Sequence, residues 1–472
     1  MRKTKIVCTI GPSTRGVKKL IKLVESGMDS ARLNFSHGTH EDHLKNINDI
    51  RQASEITGKP VAILQDLQGP KIRTGTLLNG SAILENGQEF IITTDTNVHG
   101  NNKIVSTPYT NLKNELSAGN TLLLDDGYII LKVKKIQGND IITEVIKGGI
   151  LKDNKGIIAP GVSSSAPSLS QKDIEDLKFG LKAGIDAVAL SFVRSERDVL
   201  ELQTAMKIFG NTVPIISKIE RPEAYANIDA IINESDSIMV ARGDLGLEMP
   251  AEEVPVVQKE IIKKCNYHGK PAIIATQMLE SMINNPRPTR AEASDVANAV
   301  LDGCDCVMLS GETSVGQFPN DAVRYMDKII RVIEEKYVNR MNEFEIPKDI
   351  KQNISDAFGK ASVVIAEQIN ASAIVAYTSS GYTAKNIAKY RPHQPIIVLT
   401  DSPQVQRRME SFVWGVKAII VPSEFSHENI FEQFSGIVKH LGIINNGDHI
   451  VFVAGLTANK LMPENIIKVH QV

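Results

Sequence analysis

Lys218, Glu220, Arg242, Asp244 and Thr276 stand just after three successive short apolar runs, at 213–217, 237–241 and 271–275. Each run has the length and composition of one strand and gives way to a helical pattern. A barrel of parallel strands presents its chemistry this way, because its βα loops converge on one face. Lys218 and Glu220 are two apart in a strand and share a side. Arg242-Gly243-Asp244-Leu245-Gly246 reads as a glycine-bearing loop whose backbone N–H groups can meet an anion. Two carboxylates, an ammonium and a hydroxyl on one rim suit a divalent metal binding an anionic substrate. Mg²⁺ takes one or two carboxylates and leaves its other positions to substrate oxygens and water. Each carboxylate alone would read as a rim salt bridge; three successive strand ends carrying the set favour the ligand site.

Two earlier runs add cations. Residues 31–38 place Arg32 and Asn34 on one side of a strand and Leu33 and Phe35 on the other, followed by Ser36 and His37. Asp66 then opens Leu67-Gln68-Gly69-Pro70-Lys71-Ile72-Arg73. Arginine meets phosphate through its two-pronged donor geometry, so Arg32, Arg73 and Lys218 together read as an anion clamp.

The elements that must position these groups are eight strand-like runs, at 5–10, 30–35, 61–66, 186–192, 213–219, 237–241, 272–276 and 305–310. Most are followed by helical periodicity. Alternation argues for a parallel sheet, and eight units for a closed TM-type (β/α)8 barrel, the TIM fold. Between 71 and 166 short β-like runs separated by Gly, Asn and Asp replace the helices, predicting an all-β lid inserted on the catalytic rim. The barrel is therefore expected over 1–70 and 167–340, with a polar linker at 339–352. Residues 353–472 resume the alternation with too few strands for a second barrel and predict an open α/β domain.

Hydrophobic residues make up 42% of the 472 and charged residues 23%, with a net charge of −2, so bulk charge recruits neither nucleic acid nor an anionic membrane. No run reaches the roughly 18 apolar residues of a spanning helix, and the basic N-terminus lacks a signal-peptide core; the expected compartment is the cytoplasm. Four cysteines, Cys8, Cys265, Cys304 and Cys306, do not make a disulfide framework in so long a chain. Cys304 and Cys306 are read as buried thiols on one strand face.

At this density of motifs the chain resembles the pyruvate kinase family. The likeness is carried by residues 4–12, 32–38, 66–75, 217–220, 240–246, 275–280, 286–300 and 310–313, in order through the barrel. It implies phosphoryl transfer from phosphoenolpyruvate to ADP, with Glu220 and Asp244 holding Mg²⁺ and Lys218 stabilising the transferring group. Gly243, Asp244 and Thr276 would bind the substrate carboxylate, Thr276 also delivering a proton through water. Arg32 and Arg73 would grip phosphate, with Asn34, His37, Arg73 and Lys172 on the nucleotide side and a second Mg²⁺ arriving with ADP. The substrate brings roughly −2.5 to −3 of charge, counting a phosphate monoester and a carboxylate, so two bare carboxylates could not face it without a metal.

The resemblance also implies a homotetramer and a monovalent-cation site of Asn34, Ser36, Asp66 and Leu67. Potassium-activated relatives carry Glu where Lys71 stands, so Lys71 is expected to replace K⁺ and make it dispensable. Thr378-Ser379-Ser380-Gly381-Tyr382-Thr383, between a strand and a helix, resembles the family's effector cradle for a sugar phosphate or nucleotide. No further domain is expected after Val472. A Mg²⁺-dependent enolate lyase or a catalytically silent sensor are the competing readings; neither needs both the phosphate clamp and an intact Lys218.

Overall fold

The computed structural model describes residues 1–162, 165–337, 353–422, 430–440, 442–454 and 466–472. The expected linker, and the last three residues assigned to the barrel, lie outside these. Eight parallel strands close into a barrel: Lys5–Thr9, Ser30–Asn34, Ala62–Asp66, Ala187–Leu190, Ile215–Ile219, Ser237–Ala241, Ala272–Ala275 and Cys306–Leu309. They are called strands one to eight below. Their runs are apolar on both faces because both are covered. Val7, Leu64, Ala189, Ile216, Met239 and Ile273 fill the interior, while alternate residues such as Ile6, Ile63 and Ile238 pack outward against the helices. All four cysteines are buried free thiols. Strand eight begins at Cys306, so Cys304 and Cys306 do not share a strand face: Cys304 joins the outer core and Cys306 the barrel interior.

One device recurs at the N-terminal end of the barrel. Asp29, Asp186, Asp236 and Asp305 each immediately precede an even-numbered strand. Each carboxylate accepts a backbone N–H at the start of the odd-numbered strand before it: Ile6 (2.7 Å), Ile63 (2.8 Å), Ile215 (2.9 Å) and Ala272 (3.0 Å). Buried backbone donors must find acceptors, and here a side chain supplies one for every strand pair.

After strand three the chain leaves the barrel to form a two-stranded and a six-stranded sheet between Ser81 and Ile158. This lid has its own core, including Phe90, Ile92, Leu122 and Leu131. The C-terminal domain is an open sheet ordered Val416–Ile420, Ile396–Thr400, Ala373–Tyr377, His449–Ala454, Ile466–Gln471, the last strand antiparallel to its neighbour. It docks beneath the barrel, on the aspartate-bearing end. Arg391 pairs with Asp305 at 3.0 Å, Arg407 with Asp186 at 2.8 Å, and the Ser411 hydroxyl donates to the Asp29 carbonyl at 2.7 Å. The single tryptophan, Trp414, is buried there between the cations of Lys3 and Arg391.

Candidate active site

At the opposite end of the barrel, strand five carries Lys218 on its inward face and delivers Glu220 one residue past its end. The Lys218 ammonium lies 2.9 Å from Glu220 Oε1, 3.3 Å from Asp66 Oδ1 and donates to Ser191 Oγ at 2.7 Å. Asp66, at the end of strand three, receives Arg32 from strand two at 2.6 Å, and Arg32 also donates to Thr9 Oγ1 at 3.0 Å. Side chains from five adjacent strands therefore meet within one hydrogen-bonded cluster. Burial opposes the charge on Lys218, but Asp66 and Glu220 outweigh it and raise its pKa, keeping it protonated. Burial likewise pushes Asp66 up, yet Lys218 and Arg32 bring it below the usual carboxylate range.

Glu220 behaves differently. Burial, joined by the charge of Asp244, holds its carboxyl above the ordinary value although Lys218 and the Phe192 N–H oppose the shift. Glu248, one helical turn beyond Asp244, is pushed up to about 7 by burial, with Asp244 and Glu220 adding to it against Arg221. The carboxylates on this side are short of positive charge, and the site's chemistry fits a bound cation. Among the described residues no group of three or more His, Cys, Asp and Glu is placed to hold a metal; Glu220 and Asp244 leave coordination positions for substrate and water.

The segment read as a glycine loop is a short helix, Arg242–Glu248. Gly243 permits this tight approach: a Cβ there would lie 3.2 Å from Thr276 Oγ1. The Gly243 N–H donates to Thr276 Oγ1 at 2.7 Å, and that hydroxyl donates to the Ala275 carbonyl at 2.6 Å. Thr276 and Gln277 have left-handed backbones, φ 69° and 54°, a strain of the kind that concentrates at functional sites. Arg242, counted among the reactive groups from the sequence, holds this turn instead. It pairs with Asp295 at 2.7 Å and donates to the carbonyls of Thr276 and Gln277 at 2.8 and 3.2 Å.

A cavity of about 420 Å³ opens between this rim and the lid, lined by Gly243, Asp244 and Thr276 below and by Lys71, Asp126 and Tyr128 above. Lys71 pairs with Asp126 at 3.7 Å, both in the lid segment. It makes no ion pair or hydrogen bond with Asn34, Ser36, Asp66 or Leu67. Oxygens of three residues of that cation set are engaged by protein donors: Asn34 Oδ1 accepts the Ser36 N–H (3.0 Å), the Leu67 carbonyl accepts Ser191 Oγ (2.8 Å), and Asp66 meets Arg32 and Lys218. Arg73 donates to the Asn154 carbonyl at 3.0 Å, on the lid. On the far side His37 is exposed, and Lys172 donates to the Phe35 carbonyl at 2.7 Å while pairing with Asp176. His43 stacks on Phe35 and bonds the His37 carbonyl at 2.9 Å, so it steadies the turn that carries His37.

Among the residues the sequence reading missed are Ser191 and Phe192, at the end of strand four, besides Thr9 and Glu248. Ser191 receives Lys218, and the Phe192 N–H, released by a left-handed turn (φ 56°), donates to Glu220 Oε2 at 2.6 Å. The available signal was an omission: the ends of strands three and five both carried assigned residues, while the strand end between them, the fourth, had none. In the C-terminal domain the Thr378–Thr383 loop is largely self-contained. Thr378 Oγ1 accepts the Gly381 N–H at 3.0 Å and Ser380 Oγ the Tyr382 N–H at 3.3 Å.

Residues 1–323 match the family model for the pyruvate kinase barrel domain, and residues 356–470 that for the pyruvate kinase alpha/beta domain. The chain is 46% identical over 470 residues to a pyruvate kinase of Corynebacterium glutamicum, covering 99% of this chain and 97% of that protein. It is 45% identical over 474 residues to a pyruvate kinase of Geobacillus stearothermophilus, covering 100% of this chain and 80% of that one. A crystal structure of a pyruvate kinase from Cryptosporidium parvum superposes with a TM-score of 0.93 at 40% identity, covering 100% of this chain and 96% of its own.

Proposed function

The chain belongs to the pyruvate kinase family, a phosphotransferase that converts phosphoenolpyruvate and ADP to pyruvate and ATP; from that premise we propose how its own residues run the reaction. The observation that carries the reading is Lys218, protonated between Asp66 and Glu220 on the rim. Phosphoryl transfer asks a protein for position and charge more than for covalent chemistry. Lys218 is then a fixed cation beside the transferring group and not a base. Arg32, braced by Asp66 and Thr9, grips the phosphate, with Arg73 reaching from the lid.

Family members use a divalent metal, and we assign Mg²⁺ to Glu220 and Asp244, with a second ion arriving with ADP. The raised carboxyls of Glu220 and Glu248 support that assignment, since they mark a deficit of positive charge. Bound there, the ion would neutralise carboxylate and phosphate oxygens of the substrate. Gly243, Asp244 and Thr276 receive the carboxylate. Thr276 passes a proton, through water, to the enolate left when the phosphoryl group departs. Asn34, His37, Arg73 and Lys172 take the nucleotide, Lys172 being steered there by its bond to the Phe35 carbonyl.

No described helix is long and apolar enough to cross a membrane, and the buried free thiols suit a reducing cytoplasm. We assign a homotetramer: the helix Pro319–Lys336 buries Val323, Met326 and Ile330 yet leaves Val332 49% exposed, an apolar position a second subunit would cover. Allosteric control is assigned to the C-terminal domain, through a ligand at Thr378–Thr383. Asn34, Ser36, Asp66 and the Leu67 carbonyl are the candidate ligands of a monovalent ion; protein donors already engage Asn34, Asp66 and Leu67, and Lys71 brings a positive charge to the active-site cavity from the lid, so K⁺ is assigned no required role.

A coupled pyruvate assay tests this directly. No turnover is expected after chelation, full recovery with Mg²⁺, and a rate within about twofold when tetramethylammonium replaces K⁺. Pyruvate released without ADP would replace phosphotransfer with lyase chemistry, and near-total loss of rate without K⁺ would remove the role given to Lys71.

A further inference from the structure

Of the four aspartates that cap the barrel's N-terminal end, three are neutralised. Asp29 pairs with Arg2 and Lys59, Asp186 with Arg51 and Arg407, and Asp305 with Arg391. Asp236 makes no ion pair among the described residues. It lines instead a cavity of about 420 Å³ between the barrel and the C-terminal domain, together with Lys207, Lys385 and Arg408.

Those three cations have donors in reserve. No ion pair or side-chain hydrogen bond reaches Lys207 or Lys385 from any described residue. Arg408 commits only its Nε, to the Asp186 carbonyl at 2.9 Å, which leaves the two terminal nitrogens of its fork. Asp236 turns one carboxylate oxygen to the Ile215 N–H at 2.9 Å, so three cations face a single carboxylate that is partly engaged. Burial lowers the pKa of Lys385, partly offset by Asp236 and reinforced by Lys270. Lys385 and Arg408 are mostly buried and share the one carboxylate of Asp236, Arg408 having Asp186 as well; buried cations so thinly matched are costly, and an anion joining them would lower that cost. A guanidinium fork and two ammonium groups lining one cavity offer the donors a tetrahedral dianion takes, and a phosphate monoester carries about −1.5 to −2. Met206, Pro214 and Phe412 supply an apolar wall for the body of such a molecule.

We propose that this cavity binds a small phosphate monoester, its phosphate on Lys207, Lys385 and Arg408 and its body on Met206, Pro214 and Phe412. Lys207, Met206 and Pro214 belong to the barrel and Lys385, Arg408 and Phe412 to the C-terminal domain, so the ligand cross-links the two. The site is separate from the Thr378–Thr383 cradle, of which only Ser380 reaches the cavity, and it is independent of the catalytic assignment.

Calorimetric titration of the full chain with ribose 5-phosphate, AMP and inorganic phosphate, phosphoenolpyruvate being present to fill the active site, decides it. At least one of the two esters is expected to bind this cavity, apart from any binding at Thr378–Thr383, and more tightly than inorganic phosphate. The double variant Lys207→Gln, Lys385→Met should weaken that binding by about tenfold or more, the loss of charge-assisted hydrogen bonds, with unchanged ligand-free turnover. Lys207→Gln alone, at an exposed helix position, should weaken it about threefold and keeps the test alive if the double variant fails to fold. Absence of binding by either ester, binding as tight in the variants as in the wild type, or inorganic phosphate binding as tightly as the esters would each overturn the proposal.

Discussion

The two ends of the barrel are built from the same residue types and use them in opposite ways. At the N-terminal end Asp29, Asp186 and Asp305 are buried, each accepts a strand N–H, and each is met by one or two cations. At the C-terminal end Asp66 is matched just as well, by Arg32 and Lys218, but Glu220, Asp244 and Glu248 crowd together with too little positive charge. Completed ion networks join domains; the unfinished one makes room for a metal and a substrate. The difference lies in whether the partners are all protein atoms, which agrees with the general division of such barrels into a stability face and a catalytic face.

Breaking the finished end should cost the most. Asp305 accepts both Arg391 terminal nitrogens (3.0 Å each), the Ala272 N–H and the Trp414 N–H at 3.2 Å. Asp305→Ala strands Arg391 in a buried position, so a loss of about 3–5 kcal/mol is expected, read as a lower denaturation midpoint. Turnover of the protein that stays folded should be nearly normal, because nothing on the catalytic rim touches Asp305. At the other end Lys218→Met should reverse that pattern. Activity in the coupled assay should fall by about 10²- to 10³-fold, the usual consequence of removing one donor aimed at developing charge. A variant of Lys218 that kept most of its rate would collapse the contrast between the two ends.

Titration sharpens the same comparison by a smaller amount. Burial works against ionisation of Asp29, but Arg2, Lys59, Lys5 and the Ile6 N–H bring its pKa down to about 2 from an ordinary 3.8. A depressed carboxylate stabilises the fold fully above its unfolded value and loses that contribution as pH falls through the folded one. About 2 kcal/mol should therefore disappear between roughly pH 4 and pH 2. Asp29→Asn should flatten this part of the stability-against-pH curve; an unchanged slope would remove Asp29 from the finished network.

Much of this architecture is legible in sequence because apolar runs of strand length, ended by Gly or a charged residue, are what a parallel barrel requires. The runs overshoot in an informative way. Those read at 186–192 and 272–276 stop in the structure at Leu190 and Ala275, since Phe192 and Thr276 leave the ladder with left-handed backbones to reach the site. The helix Arg242–Glu248 was hidden by its two glycines, which argue locally for a loop and are overridden by packing against the Thr276 turn. Arg242 looked reactive because an arginine beside a carboxylate and glycine fits an anion site equally well. In the fold Asp295 and two carbonyls already occupy it. The four capping aspartates stood in plain view before strands two, four, six and eight. Their partners are backbone N–H groups, which no residue type announces.

Ser191 is the least conspicuous member of the unfinished end and gives the finest test of it. Its hydroxyl takes one hydrogen bond from Lys218 at 2.7 Å and gives one to the Leu67 carbonyl at 2.8 Å, so it ties the ammonium to the strand-three loop. Ser191→Ala removes an acceptor without touching charge: Asp66 and Glu220 still hold Lys218 protonated, but its direction is set by two carboxylates alone. A positioning loss of this kind should lower kcat/KM for phosphoenolpyruvate about tenfold, close to the worth of one hydrogen bond to a charged group, and leave KM for ADP in place. The thermal midpoint should move little, because the serine adds no apolar burial. If the variant instead lost stability while keeping its kcat/KM, Ser191 would be a strand-end packing residue, and the catalytic rim would be held by its charged side chains alone.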